Sequence, residues 1–157
     1  MKPTVYIETS VISYLNSRPS RDLIIAAHQQ ITQDWWDNSL KHYDAFISSV
    51  VIDEISRGNK KAAELRLNSV DLFKILEVTD DVHKLADLYF KNMAGKENVR
   101  LDAYHLAFAS LYNLDYVVTW NFKHIASGKI KSMIQNINYD RKLKIPILCT
   151  PEELTEE

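Results

Sequence analysis

Val5-Tyr6-Ile7-Glu8-Thr9-Ser10 is the stretch on which the fold turns. Three apolar, β-favouring residues make a short buried strand, and an acid with two hydroxyls follows where a helical pattern (Val11, Ile12, Tyr14, Leu15) takes over. In an open α/β sheet, ligands bind in the crevice outside the carboxyl ends of the strands, so Glu8 is the first functional candidate. A plainer reading stands beside it, with Glu8 a loop carboxylate and Thr9 or Ser10 the cap of the helix, since both residue types cap well.

Outward from this stretch the pattern repeats. Residues 16–20 (Asn-Ser-Arg-Pro-Ser) break the chain, and a helix is expected over 21–40, with Leu23, Ala27, Ile31 and Trp35 recurring every four positions. Trp36 and Leu40 lie off that stripe and form a second apolar surface, read first as packing against a neighbouring helix and second as a homodimer seam or partner groove. A second strand is expected over 43–47. Ser48-Ser49 then cap a helix over 50–57 that closes at Gly58, and a short helix covers 60–68. A third strand is expected over 72–78, and Thr79-Asp80-Asp81 cap a helix over 82–93, which gives both acids a structural explanation.

After a loop at 95–98, a helix is expected over 99–114, its buried face marked by Tyr104, Ala107, Phe108, Leu111 and Tyr112 and Asp102 on a different face. A β-branched strand at 116–119 leads to the polar loop Trp120-Asn121-Phe122-Lys123-His124, a type of segment that carries function on a rigid scaffold. A helical region over 125–137, a last strand at 145–148 and a cap-like Thr150-Pro151-Glu152-Glu153 complete the chain. Strands alternating with helices predict an α/β protein: a three-layer α/β/α sandwich with right-handed crossovers and a mostly parallel sheet of about five strands. It is expected to form a single domain over residues 1–157.

Composition narrows the function. The 157 residues carry a formal net charge of -2, so nucleic-acid binding would have to come from a local patch. Of the three glycines, Gly58, Gly95 and Gly128, none sits in a dinucleotide or P-loop motif. The single cysteine, Cys149, excludes an internal disulfide and a cysteine-rich zinc site and reads as a small buried hydrophobe. With no signal-like segment at the start and no long apolar run, a cytoplasmic protein that does not enter membranes is expected.

Three acids remain to be explained. Glu8 follows the first strand, Glu54 lies in the helix after the second, and Asp102 opens the helix that leads to the fourth; Asn121 follows that fourth strand. Wound as proposed, all four share one edge of the sheet. Clustered carboxylates raise each other's pKa unless a cation neutralises them, and hard oxygen ligands suit Mg²⁺ or Mn²⁺. Such a site suits phosphodiester hydrolysis.

At this point the sequence resembles a known family, the PIN domains, and within it the VapC-like toxins of type II toxin-antitoxin pairs. The resemblance rests on an ordered set: Ile7-Glu8-Thr9-Ser10, the acid in Ser48-Ser49-Val50-Val51-Ile52-Asp53-Glu54-Ile55, Leu101-Asp102-Ala103 with Ala107 and Ala109, and Val118-Thr119-Trp120-Asn121-Phe122. It runs over nearly the whole chain, and it departs from the common pattern where Glu8 and Asn121 stand in place of the usual aspartates. The resemblance implies a metal-dependent endoribonuclease with RNA as substrate, a cognate small antitoxin that covers the site, and a homodimer. The alternative is a catalytically degenerate module that works by binding RNA or protein. Glu8 and Asp102 would be metal ligands, Glu54 a ligand or the acceptor of a proton from the attacking water, and Asn121 a water-positioning group. Thr9 would orient the site or cap the helix; Asp53 reads as solvated surface. His124 is open between a phosphate contact and a plain polar residue, and His105 is read as the latter. Two basic groups could neutralise phosphates: Lys123, Lys129, Lys131, Arg141, Lys142 and Lys144, or Arg57, Lys60 and Lys61.

Overall fold

The computed structural model describes residues 1–93 and 96–155. Five strands form one sheet in the order β3-β2-β1-β4-β5, all parallel: β1 Thr4–Ile7, β2 Asp44–Ser48, β3 Lys74–Leu76, β4 Tyr116–Val118 and β5 Ile147–Cys149. β1 is central, with Tyr6 opposite Phe46 on one side and Val117 on the other. A central parallel strand is covered on both faces and reads as a continuous apolar run. That is why Val5, Tyr6 and Ile7 are all fully buried instead of alternating.

The chain leaves β1 outward through β2 to β3, then returns past β1 to β4 and β5. Right-handed crossovers in opposite directions place helices on opposite faces. One group is α1 Thr9–Asn16, α2 Leu23–Asn38, α3 Ser49–Ile55 and α4 Lys60–Ser69; the other is α5 Asp80–Asn92, α6 Arg100–Leu111 and α7 Gly128–Asp140. Contacts follow the grouping, α1 with α2, α3 and α4, and α5 with α6 and α7, while α3 also touches α6. The winding reverses between β1 and β4. Ligand crevices of open α/β sheets lie at such a switch point.

Local signals explain most boundaries. Ser48, as expected, caps α3 by accepting from Val51 N at 3.3 Å, and Arg66 donates to the carbonyls of Ile55 (2.9 Å) and Arg57 (2.6 Å), covering the otherwise bare end of that helix. α3 stops two residues earlier than expected, and Gly58 takes φ 86°, a conformation glycine adopts without strain. Thr79 caps α5 with Asp80 and Asp81 in its first turn, and Thr150 with Glu153 forms a capping box, both as the sequence indicates. Cys149 is buried, and burial pushes its thiol up to about 12.

Some expectations shift. Gly95, in the expected loop at 95–98, lies outside the described residues, and Glu97–Val99 is a 3-10 turn that leads into α6. α6 has no single buried face. It is enclosed from Ala103 to Ser110 between sheet and α5, and it ends before Asn113, whose φ of 56° breaks the helix. α7 starts later than expected because Ser127 caps it through Ile130 N at 3.3 Å. β3, an edge strand with one neighbour, keeps three of the seven residues expected, and Leu72 is exposed. The expected stripe on α2 holds only at Ile31 and Trp35; Leu23 and Ala27 are exposed. Trp36 and Leu40 pack against the core, and the partner of the Trp36 ring is not on a helix: it is Phe73, just before β3, 5.5 Å away.

The Phe108 ring is fully buried and stacks on Tyr6 at 6.2 Å, joining α6 to the central strand. Phe108→Ala is expected to cost about 3–5 kcal/mol, read as a lower urea midpoint with an unchanged slope.

Candidate active site

Each acid arrives on a different element. Glu8 sits where β1 becomes α1, and its backbone N–H is still paired to Val118 O at 3.1 Å, so the sheet fixes its position. Its side chain, not that of Thr9 or Ser10, caps α1. The carboxylate folds back to accept from Ser10 N at 3.1 Å. The hydroxyls act as donors to it: Ser10 Oγ at 2.5 Å and Thr119 Oγ1 at 2.6 Å both give their protons to Glu8 Oε1. Those hydroxyl oxygens accept in turn from Trp120 N and Asn121 N, each at 2.9 Å. Two hydroxyl relays thus tie the loop after β4 to the carboxylate after β1.

Glu54 lies on α3, half-buried, with Oε1 accepting from Thr9 Oγ1 at 3.0 Å and from His105 Nε2 at 2.7 Å. Thr9 therefore orients a carboxylate and caps nothing. Its neighbour Asp53 is exposed, as its surface reading requires. Burial pushes the Glu54 carboxyl up, but the hydrogen bond and charge of His105, with Thr9 and Arg57, outweigh it and hold the group below the usual value.

His105 is not a plain polar residue. It is fully buried on α6, three positions after Asp102, and its Nδ1 meets Tyr6 Oη at 2.6 Å; Tyr6 Oη also lies 2.8 Å from Ser48 Oγ. Burial disfavours the imidazolium, but Glu54, Glu8 and Asp102 overcome that and raise the pKa of His105 above its ordinary value. The chain of partners satisfies either state. A neutral ring accepts the Tyr6 proton; a charged ring donates to Tyr6, which donates onward to Ser48. Tyr6 stays protonated throughout, because burial and the nearby Glu8 and Glu54 hold its pKa far above 10.

Asp102 is the least satisfied of the three carboxylates. Asn121 Nδ2 donates to Oδ1 at a long 3.3 Å, and His124 Nδ1 lies 3.5 Å from Oδ2. Asn121 Oδ1 accepts from His124 N at 2.9 Å, so the amide is a brace between the loop and Asp102. Burial raises the Asp102 pKa to about 6, with the charges of Glu8 and Glu54 adding to it and those of His105 and the Asn121 bond opposing. All three expected carboxylates are thus electrostatically coupled, and Asn121, Thr9 and His124 contact them. Sequence reasoning missed Tyr6, Ser10, Thr119 and the role of His105; only the three-residue spacing of Asp102 and His105 pointed to the last.

Among the described residues, no three His, Cys, Asp or Glu side chains already form a cage for a metal ion. The donor chemistry nonetheless fits a hard divalent cation: carboxylate and amide oxygens, no thiolate, and a carboxyl group, Asp102, whose pKa is raised mainly by burial and further by the charges of Glu8 and Glu54. Magnesium keeps several of its waters and needs only one or two carboxylates.

The PIN domain family model matches residues 5–126, from the first strand through the loop that holds Asn121 and His124. The chain belongs to the PIN domain family. No curated protein sequence matches it. Among solved structures it is similar to Mycobacterium tuberculosis VapC20, a Sarcin-Ricin loop cleaving toxin, with a TM-score of 0.61, 16% identity, and coverage of 80% of this chain and 95% of that one. It is also similar to a chain of a toxin-antitoxin complex from Klebsiella pneumoniae, with a TM-score of 0.53, 20% identity, and coverage of 77% and 89%. At these identities the likeness establishes the PIN sandwich as the shared fold.

A raised carboxyl pKa has a signed consequence for stability. The folded protein holds the Asp102 proton up to about pH 6, whereas the unfolded chain releases it near its ordinary value, so stability falls as pH rises through that window. Asp102→Asn should therefore stabilise the metal-free PIN protein at pH 7.5, by on the order of 1–3 kcal/mol, and by about half as much at pH 5. Urea unfolding in EDTA at the two pH values checks this.

Proposed function

We propose that this PIN protein is a divalent-metal-dependent endoribonuclease that hydrolyses RNA phosphodiester bonds, and that it is the toxin of a toxin-antitoxin pair. The observation that carries the reading is the coupling of Glu8, Glu54 and Asp102 from three elements at the switch point, with Asp102 pushed up to about 6. Bound Mg²⁺ or Mn²⁺ would activate water and offset charge developing on the phosphate.

The residues divide the work. Asp102, weakly engaged by protein donors, and Glu8, whose Oε2 accepts a single N–H, would hold the ion. Glu54 has Oε2 free of hydrogen bonds among the described residues, and its low proton affinity favours the ligand role over that of proton acceptor. His105 fixes the orientation of Glu54 through the bond at its Nε2. Asn121 uses one amide N–H on Asp102, which leaves the other for positioning the attacking water.

The core shared by all five strands supports one PIN-like unit over the chain. The antitoxin partner is supported by the assembly of the similar Klebsiella chain. Leu23 and Ile24, at 86% and 69% exposure on α2, offer the apolar surface that a homodimer would cover. No helix among the described residues is long and apolar enough to cross a membrane, in keeping with a cytoplasmic setting.

Purified, antitoxin-free protein is expected to cleave RNA with Mg²⁺ or Mn²⁺ and not in EDTA, and Asp102→Asn to abolish cleavage while keeping the fold. A folded protein that binds RNA but cuts none with either ion would favour the degenerate binding module instead.

A further inference from the structure

A cavity of about 570 Å³ opens beside the carboxylates, between the end of α5, the 3-10 turn Glu97–Val99 and the start of α7. His124 lines it and also reaches Asp102 Oδ2 at 3.5 Å, so the cavity adjoins the acidic site directly. Its charge is the opposite of that site's. Lys96, Lys123 and Lys129 line it, no carboxylate does, and none of the three has an ion pair among the described residues. In a chain of net charge -2, three unpaired lysines around one hollow are a local feature, not an overflow of general basicity.

We propose that this cavity seats a nucleotide of the RNA strand next to the scissile phosphate, a placement that rests on the ribonuclease reading. The backbone phosphates lie on Lys96, Lys123 and Lys129, and the base lies against the apolar wall of Met93, Val99 and Ile130. The volume falls in the range of small-molecule sites, roughly 300–1,000 Å³. Lysines alone would attract any anion; the apolar wall beside them adds a surface on which a base can lie. The arrangement gives each part of the strand a complementary surface: flanking phosphates on ammonium groups, and the phosphate to be cut among the carboxylates, where only a cation can reconcile it with their charge.

The test is binding of a fluorescein-labelled single-stranded RNA to the full chain, followed by anisotropy in EDTA over about 50–200 mM KCl. The double variant Lys123→Gln/Lys129→Gln is compared with Lys2→Gln/Lys41→Gln, an equal charge change at two exposed lysines that precede β1 and β2, at the opposite end of the sheet from the carboxylates. The cavity variant should bind roughly tenfold more weakly and lose about 1.4 from the log-log salt slope, the value for two phosphate contacts on a single strand, while the control changes affinity less than about twofold. Equal effects of the two variants, displacement of the RNA by polyglutamate as readily as by unlabelled RNA, or no RNA binding by the parent would overturn the proposal. RNA binding that depends on the cavity lysines without cleavage in Mn²⁺ would sustain the nucleotide site and refute the nuclease reading.

Discussion

Mutual repulsion of three carboxylates at the end of one parallel sheet is the constraint to which the rest of this molecule answers. Each carboxylate has a separate answer. Glu8 takes three donors, one from its own helix and two from hydroxyls that are themselves held by the loop after β4. Glu54 takes the buried His105, whose far nitrogen is secured by Tyr6 and Ser48. Asp102 receives only the long contacts of Asn121 and His124, and burial, with the charges of Glu8 and Glu54 adding to it, raises its pKa to about 6. The destabilisation is therefore concentrated on the residue best placed to be relieved by a cation, as expected where function and stability compete.

The topology explains why these groups meet. β1 and β4 are neighbours although Glu8 and Thr119 are 111 residues apart in sequence, and the reversal of winding between them opens the crevice. α6 is the other half of the frame. It is buried nearly all round, so one helix carries Asp102 toward the crevice, His105 to Glu54 and Phe108 to the central strand. Central burial makes the positions of Glu8 and Asp102 properties of the core, which is the condition for a preorganised site.

Much of this was legible in the sequence because it was written in local patterns. The run Val5-Tyr6-Ile7 announced a doubly covered strand, and alternating strands and helices placed the acids at one sheet edge. What was illegible depended on partners distant in sequence. Thr9 and Ser10 have good capping propensity, yet the glutamate caps and the hydroxyls donate, because Thr119 and Glu54 arrive from elsewhere. Tyr6 looked like an ordinary strand aromatic, and nothing local marks its hydroxyl as the partner of His105. On α2 the apolar period runs beyond the residues that pack against the core, so Leu23 belongs to the pattern but not to the core. Asn121 and Glu8 prove to be braced by the same loop, one holding Asp102 and the other held by Thr119.

The most direct test of the shared carboxylate site is anomalous diffraction from crystals of the protein soaked in Mn²⁺. A single strong manganese peak within ligand distance of Asp102 and at least one of Glu8 and Glu54, absent from crystals of Asp102→Asn, is the expected result. Crystals that show no peak at the carboxyl end of β1 and β4, with the three side chains unmoved at saturating Mn²⁺, would contradict it.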